Sequence, residues 1–292
     1  MAPVPLSGVQ AAAITPRTKD GDIDLGASFE LLDHLCRAGV QGVVLFADAA
    51  DCLAFTPAER SRLVYLAVKR SRVPILAGVG SPTLDLAVTL AREAAQAGAD
   101  GLVISPPVAQ CLEPDDIAEF YLCVAQHLGR GVPVYLRERG VPVETALRVL
   151  ETGLFAGIAV DREDFSAFPH RDHSFERIAL TDARFAEARR EGLAVISAAA
   201  CAVPELFVGL DAALAAGDSA KAGRLEGALK EFVEWVRGLP PGVVVKTATA
   251  ARGLKTGPLA LPLSPRRQKA LEEFRQWFQG WLPGLGKLCA HA

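Results

Sequence analysis

The chain has 292 residues, of which 50% are hydrophobic and 22% are charged, and its 34 acidic and 31 basic residues give a net charge of −3. This length can bury one large core without disulfides. The charge excludes nucleic-acid or membrane-surface binding through bulk positive charge. The 31 basic residues comprise 23 arginines and only eight lysines, and no lysine lies in the 151 residues between Lys69 and Lys221.

Three sequence features bear on the cellular compartment. The first ten residues, MAPVPLSGVQ, contain no basic segment followed by an apolar run, so we expect no signal peptide. The longest apolar stretch, 194–210, contains Pro204 and Glu205 and is typical of a buried strand and helix rather than a membrane span. The six cysteines show no C-x-x-C spacing, which favours reduced thiols. The sequence therefore predicts a cytoplasmic protein without membrane or nucleic-acid partners.

Short apolar runs recur along the first three quarters of the chain, and several follow a glycine that ends a helical pattern. Such a glycine supplies the left-handed residue that commonly closes a helix. Runs without polar alternation are typical of strands that are covered on both faces. The eight runs lie near 8–14, 41–46, 73–78, 100–105, 132–137, 155–160, 177–181 and 193–198.

Helical patterns lie between these runs, and several begin at recognisable caps. Thr56 and Glu59 have the spacing of a capping box around Pro57, and other helices are predicted to begin at Pro114 and Pro142. Eight strand–helix units in about 215 residues predict a (β/α)8 TIM barrel over residues 1–217. A doubly wound open sheet is the alternative that the same pattern allows.

The remaining residues, 218–292, contain no strand pattern. Apolar residues at helical spacing predict three helices, at 219–236, 244–252 and 265–281, that form a C-terminal extension packed on the barrel. Its three tryptophans are expected to serve packing rather than ligand stacking. They are Trp235, Trp277 and Trp281.

Short motifs close several of the predicted strands. They are Ala13-Ile14-Thr15-Pro16, Ala77-Gly78-Val79-Gly80, the segment 101–106, Gly157-Ile158 and Ala194-Val195-Ile196-Ser197, with Val245-Lys246 in the extension. In this order and spacing they resemble the dihydrodipicolinate synthase/N-acetylneuraminate lyase family over nearly the whole chain. The resemblance implies a barrel of the class I aldolase type, in which a strand-six lysine forms a Schiff base with a 2-keto acid. It also implies a homo-oligomer, a dimer or a tetramer.

The sixth strand departs from the family's pattern of Gly-Ile-Lys followed by Asp or Glu. This sequence reads Gly157-Ile158-Ala159-Val160-Asp161, so Ala159 stands where the family has its Schiff-base lysine. No lysine from strand three to strand eight could replace it. We therefore predict a divergent member that has lost Schiff-base chemistry. It would be a pseudoenzyme or a small-molecule-binding relative with its ligand in the barrel mouth.

The resemblance also assigns the other candidate positions of the mouth. Tyr135 matches the family's strand-five tyrosine and is expected at the mouth, either as a catalytic residue or as a large side chain that fills the mouth. Arg137 or Arg139 matches the carboxylate-binding arginine, and a shortened loop leaves the choice open. The family's Gly-Thr-Thr-Gly-Glu loop matches 47–51, where a negative charge would repel an anionic substrate. The candidate ligand-binding residues are Asp48, Ala49, Asp51, Arg137, Arg139, Asp161 and Ile196.

A second hypothesis keeps an enzyme on the same scaffold. Tyr135 would act as acid or base, and carboxylates converging on the mouth would hold Mg²⁺ or Mn²⁺. These carboxylates are Asp48, Asp51, Asp161 and Asp182. Solvated or arginine-paired acids are the interpretation that the spacing favours, so we predict no metal and no cofactor. A lysine-independent retro-aldol reaction is a third hypothesis, but it would leave the carbanion unstabilised.

Overall fold

A computed structural model describes residues 6–47, 52–107, 112–129, 131–161, 165–168 and 175–290. Eight parallel strands close into a barrel in chain order, with β1 paired to β8. This confirms the predicted (β/α)8 barrel and excludes the open sheet. The strands are β1 (Val9–Ala12), β2 (Gly42–Leu45), β3 (Ile75–Val79), β4 (Gly101–Ile104), β5 (Val134–Arg137), β6 (Gly157–Val160), β7 (Glu176–Leu180) and β8 (Ala194–Ser197).

Helices surround the barrel and continue beyond it. Those that follow the strands are α1 (Leu25–Ala38), α2 (Pro57–Arg70), α3 (Leu84–Ala97), α4 (Pro114–Leu128), α5 (Val143–Leu150), α6 (Phe185–Arg190), α7 (Ala199–Ala202) and α8 (Pro204–Ala215). The extension comprises α9 (Ser219–Gly238), α10 (Pro241–Ala251) and α11 (Pro265–Ala290). The predicted three-helix extension is thus present.

The helix ends follow the predicted local chemistry. Gly39 and Gly98 cap α1 and α3 in the left-handed conformation, each with a φ of 87°. The Thr56 hydroxyl accepts from the amide of Glu59, and the Glu59 carboxylate accepts from the amide of Thr56, which completes the predicted capping box of α2.

The connection from β6 to β7 differs from the repeated strand–helix pattern. Among its described residues only a short 3₁₀ turn, Phe165–Ala167, is present. The sequence between the two strands carries Pro169 and mostly polar residues, so it lacks the apolar spacing that a helix needs to cover a strand. The barrel therefore closes without a described helix at this one position.

The pleat of the strands separates two apolar layers. Outward side chains pack under the helices in the larger core, and inward side chains fill the barrel itself. The barrel is therefore a packed core rather than a pore. The buried inward residues are Ala12, Val44, Leu76, Val103, Tyr135, Ala159, Ile178, Ala194 and Ile196, which we call the interior cluster.

The extension packs through aromatic side chains. Trp281 stacks on Trp277 with ring centroids 5.1 Å apart, and Trp235 lies 5.6 Å from Trp277. The rings of α9 and α11 thus pack on one another, as the sequence predicts. Of the helices that the structure describes, none has both the length and the apolarity needed to cross a lipid bilayer.

The close contact between β6 and β7 at Gly157 can be tested by mutation. A Cβ added there would lie 2.3 Å from the carbonyl oxygen of Glu176 on the neighbouring strand. We expect Gly157→Ala to lower the free energy of unfolding by about 2 kcal/mol, because the two strands must separate to accept the methyl group. Urea denaturation measures the change.

Gly227 on α9 provides the matched control. A Cβ added there meets no atom within 4 Å, so we expect Gly227→Ala to raise the free energy of unfolding by up to about 1 kcal/mol, the helix propensity gain of alanine. A Gly157→Ala variant as stable as the native chain would contradict the strand contact.

Candidate functional site

The ends of β5 and β6 form one wall of the barrel mouth. In parallel barrels the functional end is the one where the strands finish at their carboxyl termini. Arg137 is the last residue of β5 and pairs in register with Ala159, the third residue of β6. Side chains alternate along β5, so Arg137 faces inward like Tyr135, which belongs to the interior cluster.

Ala159 and Ile196 lie together inside the barrel. Both are buried members of the interior cluster, at 0% and 4% exposure. The predicted site residues of β6 and β8 therefore belong to the same apolar cluster. Neither side chain carries a group that can accept a proton or attack a carbonyl carbon.

Arg137 supplies the positive charge of this wall. Its Nη2 lies 3.3 Å from the Asp161 carboxylate, and the two side chains are 12% and 40% exposed. Arg139 is exposed on the turn after β5. Of the two candidate arginines, Arg137 therefore faces the barrel and is paired with Asp161.

A buried carboxylate, that of Glu138, links the ends of β5 and β6. Glu138 is 2% exposed, and its carboxylate accepts the amide of Asp161 at 3.2 Å, while its own amide donates to the carbonyl of Ala159 at 3.0 Å. Behind β5 the Tyr121 hydroxyl donates to the carbonyl of Arg137 at 2.5 Å. Burial raises the pKa of Tyr121 well above its usual value, so this donor keeps its proton.

Tyr135 lies at the opposite end of the barrel from the mouth. It is the second residue of β5, and its hydroxyl donates to the carboxylate of Glu176, the first residue of β7, at 3.2 Å. The amide of Leu6, before β1, donates to the same carboxylate at 3.3 Å. The expectation that Tyr135 reaches the mouth is therefore wrong. Strand alternation makes residues 135 and 137 both face inward, and the sequence does not tell which of them lies at the mouth. In the structure it is Arg137, which pairs in register with Ala159.

At this position the Tyr135 hydroxyl does not face the mouth, where the second hypothesis would need it. Burial and the neighbouring Glu176 carboxylate raise the pKa of the Tyr135 hydroxyl well above its usual value. The hydroxyl stays protonated at physiological pH and is directed away from the mouth. In the structure the Tyr135 ring is a buried part of the interior cluster.

The carboxylates of the proposed metal site do not converge in the described part of the chain. Asp182 accepts from the Ser197 hydroxyl at 2.6 Å and from the amide of Ala199 at 3.1 Å, where α7 begins. Burial raises its pKa, against the opposing effect of these hydrogen bonds. Asp161 is paired with Arg137. The described residues contain no group of three or more acidic, histidine or cysteine side chains that could hold a metal ion. Asp48, Ala49 and Asp51 lie outside the described residues.

Arg60 is a further residue at the mouth that the sequence reading missed. It is 3% exposed, and its guanidinium donates to the carbonyls of Gly78 and Gly80, where β3 ends. The sequence contains an indication of this role, because Arg60 lies on the apolar face of α2 at helical spacing with Leu63, Val64 and Ala67. A charge on an apolar face indicates a buried polar partner.

The position of Tyr135 can be tested by stability. We expect Tyr135→Phe to lower the free energy of unfolding by about 1.5 kcal/mol, because the Glu176 carboxylate loses one of its donors. Urea denaturation measures it, with Tyr65→Phe as the control, since Tyr65 is 51% exposed on α2. Equal unfolding midpoints for the two variants would contradict the buried hydrogen bond.

Comparison with known proteins agrees with this architecture. An uncharacterized DapA-like lyase of Halobacterium salinarum is 30% identical over 273 residues, 89% of each chain. A probable 5-dehydro-4-deoxyglucarate dehydratase of Streptomyces coelicolor is 32% identical over 277 residues, covering 88% of this chain and 87% of that protein. The structure of a catalytic lysine mutant of Ruminococcus gnavus sialic acid aldolase matches with a TM-score of 0.82 at 19% identity, over 94% of this chain and 95% of that one.

A family profile extends the match over most of the sequence. The profile of the dihydrodipicolinate synthetase family matches residues 5–280. This range includes all eight strands and the first two helices of the extension. The chain therefore belongs to the dihydrodipicolinate synthetase family.

Proposed function

We propose that this chain is a family member without Schiff-base chemistry, which binds a small molecule at the barrel mouth and forms no imine with it. One observation carries the proposal. Ala159, which matches the family's lysine position in sequence, is an inward residue of β6 beside Arg137. A methyl group at this position cannot attack a carbonyl carbon.

The other lysines do not offer a substitute amine. None occurs between Lys69 and Lys221, a stretch that includes β3 to β8. Lys69 and Lys19 are exposed outside the barrel strands. Lys246 is buried on α10, where its Nζ donates to the carbonyl of Pro258 at 2.8 Å. These positions support the absence of imine chemistry, because no lysine lies on any of the eight strands.

The fold does not depend on the lysine in at least one related structure. The sialic acid aldolase described above keeps the barrel as a catalytic lysine mutant. In this chain the interior cluster around Ala159 is apolar and closely packed. Without an iminium to accept electrons, cleavage of a carbon–carbon bond would leave an unstabilised carbanion. A binding or regulatory role therefore fits the site better than a lyase reaction.

The proposed organisation of the chain is a barrel followed by a helical extension. We take residues 1–217 as the barrel and residues 218–292 as the extension, since the last three helices follow α8. We expect a homo-oligomer, a dimer or a tetramer, and a cytoplasmic location. The mouth is expected to take a polar small molecule, because Arg137 and Asp161 present both signs of charge there.

Reductive trapping tests the loss of imine chemistry. We expect no mass increase when the native protein is incubated with pyruvate and borohydride and its intact mass is measured. The Ala159→Lys variant should gain a reduced pyruvate adduct at position 159, because a buried amine beside a guanidinium has a lowered pKa and attacks readily.

Peptide mapping after trapping identifies the modified residue. An adduct on a residue inside the native barrel would contradict the proposal. No adduct in either protein would contradict the assignment of position 159 as the family's imine position, provided that urea denaturation shows the variant to be folded.

Ligand binding at the mouth is tested by thermal shift against a panel of keto acids, sugars and amines. A ligand at a hundred times its Kd should stabilise the native state by about 2.7 kcal/mol. We expect Arg137→Met to abolish the shift of any compound that binds the mouth. Arg148→Met is the control, because Arg148 pairs with Asp115 on the outer helices. Equal shifts in both variants would place the ligand elsewhere.

A further inference from the structure

The chain leaves β2 through a strained residue. Phe46 directly follows β2 and has a φ of 56°, the one positive φ outside glycine in the described part of the chain. A bulky residue adopts this left-handed conformation only when its surroundings hold it there. Such strain is concentrated at functional sites. In this structure, contacts from β3 and from α2 hold Phe46 in the left-handed conformation.

The first support is a close contact with β3. A Cβ added to Gly78 would lie 2.3 Å from the carbonyl oxygen of Phe46 and 3.1 Å from the amide nitrogen of Ala47. Only glycine lets the two strand ends approach this closely. Gly78 of the Ala77-Gly78-Val79-Gly80 motif thus leaves the space that the turn at Phe46 occupies.

The second support is the buried guanidinium of Arg60. Its Nη1 donates to the carbonyl of Gly80 at 2.9 Å, and its Nη2 donates to the carbonyl of Gly78 at 3.1 Å. The guanidinium carbon lies 5.3 Å from the centroid of the Phe46 ring. The Arg60 side chain therefore contacts both Phe46 and the end of β3, the strand against which Phe46 packs.

The turn determines where the next residue lies. Ala47 is partly buried and packs against the interior cluster that contains Ala159. The direction of the chain at Phe46 thus sets one edge of the mouth. Arg137 and Asp161 form another edge of the mouth.

We propose that Arg60 is a positioning residue for the mouth. By binding the carbonyls of β3 and the ring of Phe46, it holds the left-handed turn that packs Ala47 on the interior cluster. The importance of the mouth rests on the proposed function, but the positioning role is measurable without any ligand.

Thiol labelling at position 47 tests the proposal. In the Ala47→Cys variant the new thiol is expected to react slowly with iodoacetamide, and adding Arg60→Met should raise its rate by about tenfold, because the turn opens locally. Peptide mapping separates this thiol from the six native cysteines. Arg60→Lys should also raise the rate, because a single ammonium cannot bridge both carbonyls as the planar guanidinium does.

Ala156→Cys provides the matched control. Ala156 is also partly buried against the interior cluster, but it lies just before β6, at the amino end of the barrel. If Arg60 only stabilised the whole fold, its removal would accelerate labelling at both positions equally, which would overturn the proposal. An unchanged rate at position 47 would also overturn it.

The labelling result is independent of the imine experiment. Selective acceleration at position 47 supports the positioning role even if the native protein traps pyruvate. Conversely, an unchanged labelling rate at position 47 would not alter the conclusion drawn from reductive trapping. The two proposals can therefore fail separately.

Discussion

The register of the closed barrel decides which side chains share the mouth. Each strand pairs with its neighbours in chain order, and β1 closes the ring against β8, so a strand cannot slip without displacing the others. Tyr135 and Arg137 face inward on the same strand, and two residues along a strand span about 7 Å. That distance places one side chain beside Glu176 at the amino end and the other beside Ala159.

The same barrel joins its helix layer to its mouth through buried polar contacts. Arg60 reaches from α2 to the end of β3, and Glu138 joins the ends of β5 and β6, since its carboxylate accepts the amide of Asp161 and its own amide donates to the carbonyl of Ala159. Buried charges of this kind are tolerated because their hydrogen bonds replace those lost to water. They hold strand ends that border the mouth, although Ala159 supplies no reactive group there.

Local features were predictable from the sequence because they depend on residues close in the chain. The Thr56–Glu59 capping box and the left-handed Gly39 lie within one helical turn of their partners. Boundaries were less accurate where packing contributes. The second helix of the extension begins at Pro241 rather than Val244, and the third continues past Pro283 to Ala290. Proline at the first turn of α10 costs no hydrogen bond, which permits the earlier start.

The sequence by itself determined the (β/α)8 barrel, the family and the alanine at position 159, since each follows from residue identity and periodic spacing. The tertiary structure alone decided that Tyr135 lies at the amino end, that Arg137 rather than Arg139 faces the barrel, and that Asp182 caps α7. The Tyr135 hydroxyl binds a carboxylate 41 residues away in the chain. Such partners are set by strand register and closure of the ring, which a local pattern of residues does not encode.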